Sequence, residues 1–268
     1  MKGLILEISA KENPSVRLYK KLAGNRKSRL ISRQFVLEGY RLIYDALLNN
    51  ANLTHIFFTD EGFERYYEEI SKKILSDSIK VMKVTKAIGN YMSETEHTQG
   101  IFAICEIPDQ LSLNESIYEN GKYLILYQLQ DPGNAGMILR TADALGIDGV
   151  IFSECCDIYS PKVVRATMGS LFRVKTFILS DIDNVFSACK NHGISLYAAV
   201  VNLDAEKIGE ICFSNGCAAV IGNEGNGLPE NIVDNCDYRV TIPMNGTIES
   251  LNTAMASGII MWELTKKK

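Results

Sequence analysis

Three glycine-bearing turns constrain this chain more than any other feature. They are Asp131-Pro132-Gly133-Asn134-Ala135-Gly136-Met137-Ile138-Leu139-Arg140-Thr141-Ala142, Ile221-Gly222-Asn223-Glu224-Gly225-Asn226-Gly227-Leu228, and Ile242-Pro243-Met244-Asn245-Gly246-Thr247-Ile248-Glu249-Ser250-Leu251-Asn252. Each leaves an apolar run and leads toward a stretch with helical character. Glycine lets backbone come close to a ligand or to another chain segment. One such turn is common. Three at strand exits predict a site at the carboxyl edge of a parallel sheet.

The surrounding pattern agrees. Tyr123–Gln128, Gly149–Phe152, Thr176–Leu179, Ser195–Ala199, Cys217–Ile221 and Tyr238–Ile242 read as strands. Helices are expected at Ala135–Leu145, Ser160–Met168, near Asn184–His192, at Ala205–Ile208 and at Leu251–Leu264, with Pro161 in a first turn. Alternating strands and helices predict an α/β domain with a parallel sheet covered on both faces. Met137, Ile138, Ala144 and Leu145 are expected to face that sheet. In the last helix Leu251, Met255, Ile259 and Trp262 recur at three- and four-residue spacing, beside small residues at Ala254 and Gly258. Residues 1–107 read as a smaller α/β domain, with strands at Gln34–Gly39, Leu53–Thr59, Lys80–Val84 and Gly100–Ile107 and helices at Tyr40–Leu48 and Phe63–Leu75. Residues 108–121 read as a polar linker, and 122–268 as the second domain.

Composition narrows the class. Apolar residues make up 46% of the 268 and charged residues 22%, as in ordinary globular proteins, and no apolar run reaches membrane-span length. The first residues lack a signal-peptide core, so the default expectation is a cytoplasmic location. Seven cysteines without a Cys-x-x-Cys and three scattered histidines argue against a disulfide framework or a metal site. The net charge is −4, yet Asn13–Gln34 carries Arg17, Lys20, Lys21, Arg26, Lys27, Arg29 and Arg33 with no acidic residue. Such a run is either a solvated helix face or a phosphate-binding face.

The order and spelling of the three turns resemble the SpoU (TrmH) branch of the SPOUT methyltransferases. The family's Asn-x-Gly-x-x-x-Arg appears as Asn134, Gly136 and Arg140, its Gly-x-Glu-Gly-x-Gly as Gly222, Glu224, Gly225 and Gly227, and its Ser-Leu-Asn as Ser250, Leu251 and Asn252. More loosely, Phe35-x-x-Glu38-Gly39 and Gln99-Gly100 are similar to the substrate-binding domain of many SpoU proteins. The resemblance implies a SPOUT domain with a deep trefoil knot, which no sequence pattern can show, and an N-terminal RNA-binding domain. It implies transfer of a methyl group from S-adenosyl-L-methionine to a ribose 2′-hydroxyl of RNA, 23S-type large-subunit rRNA before tRNA, by a homodimer formed through the C-terminal domain.

It also implies roles for residues. Arg140 is the leading catalytic residue. A guanidinium stays protonated in proteins, so a phosphate clamp or stabilisation of a forming alkoxide is chemically easier for it than acting as base. Asn134 would orient Arg140 or bind the hydroxyl, or it is a helix cap. Glu224 would accept hydrogen bonds from Arg140 or the substrate, or it is a solvated loop carboxylate. Asn252 and Ser250 complete the catalytic set, with a helix N-cap as their generic reading. Gly222, Asn223, Gly225, Ile242, Met244 and Leu251 are expected to hold the cofactor, largely through backbone. Arg165 contacts RNA phosphate or pairs with an acid. Dinucleotide binding at Gly222–Gly227 lacks a Gly-x-Gly-x-x-Gly after the first strand and an acidic partner about twenty residues on. A non-catalytic RNA-binding protein of the same fold is the remaining rival.

Overall fold

A computed structural model describes residues 6–76, 78–202, 204–245 and 250–266. The chain divides into two compact units, Met1–Asp109 with Asp157–Phe172, and Gln110–Cys156 with Arg173–Lys268. The first unit opens with β1 (Leu6–Ile8), α1 (Pro14–Gly24), α2 (Arg26–Ser32), β2 (Gln34–Glu38), α3 (Tyr40–Leu48), β3 (Leu53–Phe58), α4 (Asp60–Ser71), β4 (Lys80–Val84), α5 (Lys86–Met92) and β5 (Ile101–Glu106). Asn13 caps α1 by accepting the Ser15 N–H, with Pro14 in the first turn. Asn25 then caps α2 through the Ser28 N–H. The basic run of the sequence is therefore two short helices. The buried side of α1 is Val16, Tyr19, Leu22 and Ala23, with Tyr19 edge-on to Phe57 and Phe102, and α2 buries Arg29.

The strands form a mixed sheet in the order β1-β4-β3-β5-β2. Its two loose motifs interlock. The Gln99 side chain accepts the Tyr40 N–H at 2.7 Å, capping α3 where Gly39 has no side chain to do so. Gly100 has φ +69, and a Cβ there would lie 2.1 Å from the Thr59 hydroxyl that caps α4, so only glycine fits.

The second unit begins with α6 (Leu113–Ser116), β6 (Lys122–Tyr127), α7 (Pro132–Leu145) and β7 (Gly149–Ser153). The chain next passes into the first unit as α8 (Pro161–Thr167) and a 3-10 turn at Ser170–Phe172. It re-enters the second unit with β8 (Thr176–Leu179), α9 (Ile182–Asn191), β9 (Ser195–Ala199), β10 (Glu206–Lys207), β11 (Cys217–Ile221), α10 (Glu230–Val233), β12 (Tyr238–Thr241) and α11 (Thr253–Thr265). The sheet order is β10-β12-β9-β11-β6-β7-β8, and every pairing is parallel. All carboxyl ends therefore emerge at one edge, and the exits of β6, β9, β11 and β12 are neighbours there.

Two expectations need correction. Ala205–Ile208 is not a helix but contains the two-residue edge strand β10, paired with β12. In α7 the buried residues are Asn134, Ala135, Gly136, Ile138, Leu139 and Ala142; Ile138 is inward as expected, but Met137 is 50% exposed, Ala144 is exposed and Leu145 is only half-buried. The buried positions recur at 135, 138, 139 and 142, about one turn apart, and Met137 falls outside that stripe. In α11, Ala254, Ser257, Ile260, Met261 and Leu264 are buried, whereas Met255 and Trp262 are 57% and 58% exposed. That helix is apolar all round, so its spacing could not tell the inner from the outer face. Among the described residues, no helix is long and apolar enough to cross a membrane.

Candidate active site

The three turns converge through one carboxylate. Glu224, in the loop after β11, accepts the N–H of Asp131 at 2.9 Å, the N–H of Gln130 at 3.1 Å and the Asn134 side-chain amide at 3.2 Å. Asn134 in turn accepts the Asn252 amide at 3.1 Å. Asn252 can donate because its own oxygen is occupied, capping α11 through the N–H groups of Ala254 and Met255. Asp131 does the same for α7, accepting the Asn134 N–H at 2.8 Å with Pro132 in the first turn. One relay, Asn252 to Asn134 to Glu224, thus joins the strand exits of β12, β6 and β11. Burial works against the Glu224 carboxylate, but the Asp131, Gln130 and own-backbone N–H groups and the Asn134 amide outweigh it, holding the carboxyl below its ordinary 4.5.

Backbone supports the relay. Gln128 and Glu154, each just past a strand end, both have φ 55, the left-handed region that non-glycine residues seldom occupy. They are tied by Gln128 Nε2 donating to Glu154 Oε2 at 2.8 Å. The Asn223 amide donates to the Gln128 carbonyl at 2.9 Å, and its oxygen accepts the Gly225 N–H at 2.8 Å. Cys155 receives the Leu129 N–H, and burial pushes its thiol up to about 12, so it remains neutral packing material.

Beside the relay lies a cavity of about 550 Å³, a size typical of small-molecule sites. Gly222, Asn223, Gly225, Ile242, Met244, Ser250 and Leu251 line it, and Glu224 reaches it from the relay. Apolar Ile221, Ala256 and Ile260 complete a wall suited to a flat heteroaromatic ring. Gly222 is required by the protein itself: a Cβ there would fall 2.2 Å from the Gly227 backbone, inside the hairpin-like loop closed by the Asn223–Gly227 pair.

The sequence profile of the SpoU rRNA Methylase family matches residues 121–262, just over half the chain. The chain belongs to the SpoU rRNA methylase family. The MRM3-like substrate binding domain profile matches residues 13–103 of this SpoU methylase. It is 29% identical over 262 residues to the 23S rRNA (guanosine(2553)-2'-O)-methyltransferase RlmP of Bacillus subtilis, covering 96% of this chain and 98% of that protein. The crystal structure of an AdoMet-bound rRNA methyltransferase from Sinorhizobium meliloti superposes with a TM-score of 0.86 at 28% identity, covering 98% of each chain. AviRb from Streptomyces viridochromogenes, in complex with the cofactor AdoMet, gives 0.84 at 25% identity over 95% of this chain and 97% of that one.

Within the SpoU methylase, the expected site residues fall into three groups. Asn134, Glu224 and Asn252 are brought together, and all six residues expected to hold cofactor line the cavity. Asn134 is not a cap: it sits a turn inside α7, is 8% exposed and has its amide engaged on both sides. Arg140 stands apart, exposed on α7, and among the described residues neither Asn134 nor Glu224 pairs with it. Part of the third turn, residues 246–249, lies outside the described residues.

The basic run divides likewise. Arg29 is corrected: it is 5% exposed, paired with Asp157 at 2.7 Å and donating to the carbonyls of Leu22 and Ala23, so it cannot reach phosphate. Lys20 pairs with Glu94 and Arg33 with Asp109. Arg17, Lys21, Arg26 and Lys27 are exposed. Arg165 Nη1 lies 4.0 Å from Glu38, an ion pair without a hydrogen bond, and the Glu38 carboxylate accepts instead from Ser93, Glu94 and Thr95. Sequence reading missed Asp131, although Asp followed by Pro before an apolar helix is an N-cap signature. It also missed Glu230 and Arg239, which line the cavity and belong to no motif.

Proposed function

We propose that this protein is an S-adenosylmethionine-dependent RNA (ribose-2′-O)-methyltransferase acting in the cytoplasm on large-subunit rRNA of the 23S type. The observation that carries the reading is the relay from Asn252 through Asn134 to Glu224, because it fixes the helix bearing Arg140 against a loop that lines the cavity. The names of the relatives support the substrate class. S-adenosylmethionine supplies a methyl group already activated by the sulfonium. The chain supplies position and charge. The cavity lined by Gly222, Ile242 and Leu251 takes the adenosine, and Ser250 stands in the same wall. Asn134 and Glu224 hold the loop and helix so that Arg140 can clamp a phosphate or stabilise the ribose oxygen as it loses its proton. Arg17, Lys21, Arg26 and Lys27 offer the N-terminal unit a phosphate-binding face. The trefoil knot is part of the proposal, as is the domain division at 107 and 122 adjusted for Asp157–Phe172.

Transfer of labelled methyl groups to total RNA, followed by mapping of 2′-O-methyl sites in cells with and without the protein, tests the reading. A missing mark in large-subunit rRNA is expected. A mark lost from tRNA instead would replace the substrate, and no transfer to any RNA would leave the non-catalytic alternative.

A homodimer belongs to the same proposal. Met137 on α7 and Met255 and Trp262 on α11 form exposed apolar surface on two helices that pack together. Light scattering at micromolar concentration should give twice the chain mass, and Trp262→Glu should give the monomer. A wild-type monomer that methylates RNA would refute it.

A further inference from the structure

Glu230 and Arg239 line the same cavity as Gly222, Ile242 and Leu251, but carry opposite charges. Arg239 Nη2 donates to Glu230 Oε1 at 3.1 Å and to Asp234 Oδ1 at 2.7 Å. Their side chains are 44% and 75% exposed, so neither charge is there to hold a core together. The third charged group of the lining, Glu224, is already engaged by three donors of its own unit. On Arg239 only Nη2 donates in those two bonds, which leaves Nε and Nη1 without a partner among the described residues. On Glu230 the second carboxylate oxygen is likewise without one among the described residues.

We propose that this pair receives the amino-acid end of S-adenosylmethionine. An α-amino acid presents an ammonium and a carboxylate on one carbon. A guanidinium and a carboxylate 3.1 Å apart present the opposite charges at matching separation. With Nη2 turned to Glu230 and Asp234, Arg239 donates through Nη1 to one oxygen of the α-carboxylate, a single charge-assisted bond. The free oxygen of Glu230 accepts the α-ammonium. The apolar and backbone part of the wall then takes the adenosine, and the ligand spans the cavity from Ile242 to Arg239. Two carboxylates and one guanidinium give the lining one excess negative charge. S-adenosylmethionine, with a sulfonium, an ammonium and a carboxylate, carries one excess positive charge. This assignment rests on the reading that the cavity is the cofactor site.

Calorimetry on the full-length protein separates the two. The ligands are S-adenosylmethionine, S-adenosylhomocysteine and 5′-methylthioadenosine, which keeps the adenosine and the thioether but lacks the amino-acid end. Arg239→Gln should bind the first two about tenfold more weakly, as expected for an exposed charge-assisted contact. Its affinity for methylthioadenosine should match wild type, which also reports an intact cavity. Glu230→Gln, at a more exposed position, should give the same split if Arg239→Gln does not fold. Equal affinity of both variants for all three ligands, or equal loss for all three, would overturn the assignment. If wild type binds none of them, the cofactor-site reading itself falls and takes the assignment with it.

Discussion

Arg140→Ala is expected to lower methyl transfer about a thousandfold, the scale seen when one preorganised electrostatic group is removed from a reacting centre. Cofactor affinity and thermal stability should stay near wild type. Arg140 is exposed on α7, does not line the cavity and has no hydrogen bond or ion pair among the described residues. Truncating such a surface residue usually changes stability by less than about 0.5 kcal/mol. Arg140→Lys should also be poorly active, since an ammonium cannot make a forked contact with phosphate. Single-turnover assays with saturating cofactor, with calorimetry as control, would show the split. Near-normal turnover by the alanine variant would remove Arg140 from the mechanism.

Glu224→Gln should have the second largest effect, and a different signature. The new amide keeps one acceptor oxygen, which can still take the Asp131 N–H and the Asn134 amide that share Oε1, but it sets an N–H group against the Gln130 N–H, which the other oxygen accepted. Both turnover and cofactor affinity should fall by about tenfold, because a lost hydrogen bond to a charged group costs about 1.5–3 kcal/mol and the same loop lines the cavity. The wild-type protein should show a related acid sensitivity. The Glu224 carboxyl is held below its ordinary 4.5, so its contribution to stability is complete above that value and is lost as the pH falls through the lower, folded-state value. Thermal melts of wild type and variant from pH 7 down to pH 3 should therefore converge at the acid end. Parallel curves across the range would show that the carboxylate charge does not hold the loops together.

Much of this site was legible because its residues sit in short motifs beside their own strands. Period and spacing locate β6, β7, β8, β9 and β11 to within a residue or so, and Asn134, Glu224 and Asn252 stand in the motifs that carry the family resemblance. What stayed hidden depends on long-range packing. Nothing local distinguishes Arg29 from Arg26 or Lys27, yet Arg29 meets an aspartate 128 positions away. The outer face of α11 is as apolar as the inner one, so only the finished fold separates Trp262 from Met261. Glu230 and Arg239 come together across a helix and a strand that carry no motif. The short strand β10 is too brief for any periodicity to mark.

The excursion of Asp157–Phe172 has a consequence for how this protein can be dissected or inherited. The chain crosses from one unit to the other three times, after Asp109, Cys156 and Phe172, so no single cut yields two complete parts. Val163, Val164 and Thr167 are buried in the first unit, and Asp157 is the partner of Arg29 there. A catalytic fragment beginning near residue 110 would carry this segment stripped of its surroundings, with apolar surface bared and a carboxylate deprived of its guanidinium. Loss of RNA binding in such a fragment would say nothing about which residues touch RNA. Point changes at Arg17, Lys21, Arg26 and Lys27 ask that question without breaking the chain's own stitching. Recombination faces the same restriction: a unit sewn in at three places cannot be exchanged whole by joining two genes at one seam.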